Sequence, residues 1–150
     1  MTTAATAWAA LKARLLTDTG ITIPLYWMNE TVVLPGVPSA FAFVAFESSP
    51  SFPSPVSFGG GRYANRYRNS AFVTAYVFTP VGEGIEGALA HAETIAARLR
   101  SFRDSDVSCF DATVEPGGPG ADIKPPGLIG ELGNYYYCVA EASLFFDQIG

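Results

Sequence analysis

One histidine, two cysteines, fourteen carboxylates and a knot of arginine and tyrosine are the residues of this 150-residue chain that could do chemistry. His91 falls mid-helix by its spacing, beside an apolar stripe, with no serine or cysteine motif around it. Nucleophilic catalysis needs a base beside the nucleophile and a third group to orient that base, so His91 is expected to be structural. The carboxylates are scattered over loops and helix ends, where solvation and the helix dipole account for them, and paired-acid hydrolysis is not expected. Gly59-Gly60-Gly61 has no following lysine with serine or threonine and leads into a strand, whereas a phosphate cradle leads into a helix. Gly82, Gly84 and Gly87 open a helix without the order of a dinucleotide fingerprint. Cys109 and Cys138 sit in apolar or alternating stretches with no CxxC and no histidine cluster, so free thiols are expected, with no catalytic residue, metal site or cofactor.

Arg62, Tyr63, Arg66, Tyr67 and Arg68 form the one basic and aromatic cluster. Tyrosine stacking with arginine–phosphate contacts would suit single-stranded nucleic acid. The same residue types are enriched at protein interfaces, and a solvated arm would carry them equally well. All three readings stay open at this point.

The elements that must position these residues follow from periodicity. Thr2–Thr19 places Ala4, Trp8, Leu11 and Leu15 at helical spacing, with Gly20 as a stop. Ile21–Met28 reads as a short strand, and Pro24 puts it at an edge. Ala40–Phe46 is an apolar run of strand length. Asn69–Thr79 alternates Phe72, Thr74, Tyr76 and Phe78 against Ala71, Val73, Ala75 and Val77, so both faces should be covered. These two runs, separated by a Ser/Pro/Gly-dense stretch, are expected to pair as a long hairpin whose tip projects near 47–68. Glu83–Phe102 carries Ile85, Leu89, Ala92, Ile95, Ala96, Leu99 and Phe102 at helical spacing. Val107–Val114 reads as a strand, and Tyr135–Phe146 as a long terminal one. Between them Glu115–Asn134 is crowded with glycine and proline and reads as a long connection without internal structure, which suggests a binding loop or a segment that orders on assembly. The fold class is α+β, a mixed, mainly antiparallel sheet with a projecting hairpin packed against two helices, in a single domain over 1–150.

The chain is 49% hydrophobic and only 15% charged, which excludes disorder and gives a packed interior with a rather apolar surface, as in an assembly subunit. The formal net charge of −5 argues against tight binding to nucleic acid or an anionic membrane. Met1–Ala10 has no basic residue before an apolar run, and no stretch approaches the roughly 18 apolar residues of a spanning helix. Synthesis and retention in the cytoplasm are expected.

The succession of a helix opening with Trp8 and Leu11, then Trp27-Met28-Asn29-Glu30 leading to Phe41–Phe46, then Gly61-Arg62 and a paired strand, then Pro80-Val81-Gly82-Glu83-Gly84 into a helix through Ala90 and Ile95, resembles the phage tail terminator family, with its relatives in prophages and gene transfer agents. The Tyr135–Phe146 strand completes the likeness. The resemblance implies a virion structural protein at the tail–neck junction: a homo-oligomeric, hexameric ring that caps the tail tube, ends its polymerisation and offers a surface for head joining. Its partners would be the tail tube protein and a head-completion or stopper protein, with DNA passing through without sequence-specific binding, no membrane, no cofactor and no catalysis. On this analogy Arg62, Tyr63, Arg66, Tyr67 and Arg68 lie on an intersubunit or tube-facing arm. A second contact comes from Pro116–Gly133, including Pro116, Lys124, Pro125 and Pro126. The long Glu115–Asn134 segment departs from the family pattern and equally suits another neck or tail component, such as a stopper, adaptor or tube subunit. A small-ligand or nucleic-acid binding module is the alternative from a different class.

Overall fold

The computed structural model describes residues 3–48, 56–60, 64–128 and 130–149. Helix α1 (Ala4–Leu16) starts at Thr3, whose hydroxyl accepts from the Thr6 N–H at 3.2 Å while the Thr3 N–H donates to the Thr6 hydroxyl at 2.7 Å. This reciprocal box satisfies two donors that a helix start otherwise leaves orphaned. Ala7, Leu11 and Leu15 are its buried residues, so the stripe read from sequence is rotated: Ala7 takes the inward position and Ala4 is exposed. Helix α2 (Glu86–Leu99) buries Ala88, Ala92, Ile95, Ala96 and Leu99. It begins three residues later than periodicity indicates, because Gly82 (φ 93°) and Gly84 (φ 81°) hold the preceding turn in the left-handed region. Ile85, assigned to the apolar stripe, is 42% exposed.

Six strands form one sheet in the order β1 (Leu25–Trp27), β2 (Phe41–Ser48), β4 (Arg66–Pro80), β6 (Tyr135–Ile149) and β5 (Ser108–Pro119), with β3 (Val56–Phe58) also paired to β4. Only β1 with β2 is parallel; every other pairing is antiparallel. The fold is therefore α+β, a mixed and mainly antiparallel sheet packed with two helices. Parallel neighbours need a long crossover, and residues 28–40 supply it without a helix.

The alternation of β4 and β6 decides what covers each face. Ala71, Val73, Ala75 and Val77, with Cys138, Ala140, Ala142 and Leu144, pack with the buried residues of both helices. On the other face Phe41 stacks on Phe78 at 4.9 Å, with Tyr135 edge-on to Phe41 at 5.2 Å. Val32 and Leu34 of the crossover and Ile123, Leu128 and Leu132 of the later segment close this second cluster. Beyond it Glu47, Phe72, Tyr76, Val139, Glu141 and Ser143 are only half-buried.

The β4–β6 ladder runs unbroken from Arg66↔Ile149 to Pro80↔Tyr135. Fifteen residues of strand span roughly 50 Å, whereas helices of 13 and 14 residues reach only about 20 Å. One end of the sheet therefore projects past the helical layer, and burial on β4 starts only at Ala71.

Two expectations need correction. The segment Glu115–Asn134 is not a structureless loop: β5 continues through Pro119, a 3-10 turn follows at Gly120–Asp122, and Ile123, Leu128 and Leu132 dock on the aromatic cluster. Proline was read as a breaker, but β5 is an edge strand, where a missing N–H leaves no ladder unpaired on the outer side. Bulges between Cys109 and Ala112 and between Pro116 and Pro119 absorb the irregularity. The projecting end is also more than a two-stranded arm, since Arg66–Arg68 pair with β3 on one side and β6 on the other.

Candidate assembly surfaces

At the projecting end Arg68 makes a bidentate ion pair with Asp147, Nε and Nη2 donating at 2.8 and 2.9 Å. That hydrogen bonding holds the Asp147 carboxyl below its ordinary range and raises the guanidinium. Exposed pairs of this kind contribute about 0.2–1 kcal/mol, so the pair orients more than it stabilises. Arg68 also lies over the Phe145 ring at 5.8 Å, Phe145 meets Phe110 edge-on at 5.0 Å, and Arg103 covers Phe110 at 5.3 Å. Phe110 and Ile149 remain exposed. The structure thus brings Arg66, Tyr67 and Arg68 together at one sheet end; Arg62 and Tyr63 lie outside the described residues.

Pro116, Lys124, Pro125 and Pro126 are elsewhere. Pro116 pairs with Cys138, nine residues along β6 from Asp147, or roughly 30 Å. Pro125 is buried, whereas Lys124 and Pro126 are exposed. Near that end of the sheet Pro80, Val81, Gly82, Gly84, Ile85, Pro119, Tyr135 and Tyr136 line an uncharged groove of about 360 Å³. Val81 is 62% exposed at its lip.

Sequence reasoning missed a third feature, the half-buried polar part of the non-helical face. Register sets Thr74 opposite Glu141 on β6 and Ala45 on β2, and Tyr76 opposite Val139 and Phe43. The Tyr76 hydroxyl donates to Glu47 Oε1 at 3.1 Å. Burial, reinforced by Glu115 and Glu47, raises the Glu141 carboxyl above its ordinary range. Thr74 is 2% exposed, and its hydroxyl steadies the Glu141 carboxylate without reaching full hydrogen-bond geometry. The only signal in the sequence was a lone charge, Glu141, inside an apolar strand.

Among the described residues no Asp, Glu or Ser hydrogen-bonds to His91, and no His/Cys/Asp/Glu group is arranged to hold a metal ion. Cys109 and Cys138 are free and buried. They pair with Leu144 and Pro116 respectively, positions some 20 Å apart along β6, far beyond disulfide reach. Burial pushes the Cys109 thiol up to about 11, with Asp104 adding to the effect. No helix among the described residues is long and apolar enough to cross a membrane.

No protein-family model matches the chain, and no curated protein matches it. Among the solved structures that match, one is similar in fold with a TM-score of 0.50 at 17% identity, over 95% of this chain and 94% of that one. At that identity the likeness speaks for the fold alone.

Proposed function

We propose that this protein is a tail terminator subunit, a non-enzymatic virion component that forms a ring on the end of a phage tail tube, stops its growth and presents a surface for head joining. The observation that carries the reading is the chemical difference between the two ends of the β4–β6 ladder. One end projects with Arg66, Arg68, Phe110 and Ile149; the other bears the uncharged groove with Val81 and Ile85. Two unlike patches on one subunit are what a head-to-tail contact requires, and head-to-tail contacts close into rings when the rotation allows. The family resemblance supplies the tail position, and the tail tube and a stopper protein as partners.

Imaging of tail tubes mixed with the purified protein tests this. The wild type should place a ring with a central hole at tube ends. Val81→Asp with Ile85→Asp puts two charges in the groove at exposed positions, so the monomer should stay folded while end rings are lost. Bare tube ends with the wild type would refute the reading, and rings on the sides of tubes or in the tube wall would move the protein to another tail position.

A further inference from the structure

We draw no further inference here: the strongest candidate, the apolar pocket of about 240 Å³ that Trp8 of α1 forms with Met28, Asn29 and Phe46 beside β2, carries nothing because nothing among the described residues shows what would cover it.

Discussion

Glu141 is where strand register turns into electrostatics. Its carboxyl is raised above the ordinary value of 4.5, first by burial and then by Glu115 on β5 and Glu47 on β2. A carboxyl with a raised folded-state pKa favours the fold fully only below its unfolded value, and that contribution is lost as pH rises through the folded value. At neutral pH the ionised group therefore opposes folding. Glu141→Gln should raise the melting temperature by on the order of a degree or two at pH 7, and the gain should vanish near pH 4, as calorimetry at the two pH values would show. Equal gains at both would mean that the effect is not electrostatic. None of this was legible in the sequence, because 68 residues separate Glu47 from Glu115 and 26 separate Glu115 from Glu141; only the pairing of β2, β4, β6 and β5 brings them together. The arginine cluster was legible as residue types, but the Arg68–Asp147 pair was not, since its partners lie 79 residues apart.

At the scale of elements the periodic segments were read well and the punctuation less so. The two-sided alternation of β4 and the stripe of α2 follow directly from where apolar residues recur, and both stand in the structure. Prolines and glycines after Glu115 misled, because the same residues that end a central strand are tolerated on the bulged edge strand β5. The Pro80–Gly84 junction leads from strand into helix, and its physical basis is the positive φ at Gly82 and Gly84. Adding a Cβ at Gly82 would meet no neighbour within 4 Å, so any cost there is conformational rather than steric crowding. Gly82→Ala should destabilise by about 1 kcal/mol, measured by denaturant unfolding. An unchanged midpoint would show that the turn relaxes to a negative φ without cost. The same junction forms the lip of the uncharged groove, so this variant also reports how far the proposed ring depends on the turn.

For the whole molecule, a sheet about twice as long as its helices has two unlike ends. The two unlike ends are the surfaces that the proposed head-to-tail ring would use. The central claim is the capping of a tail tube, and the length of tubes grown from tube protein with and without this protein tests it most directly. Tubes should stop growing at sub-stoichiometric amounts, on the order of one ring per tube, with a ring visible at the halted end. Tubes that grow to the same lengths whatever the amount added would contradict the account.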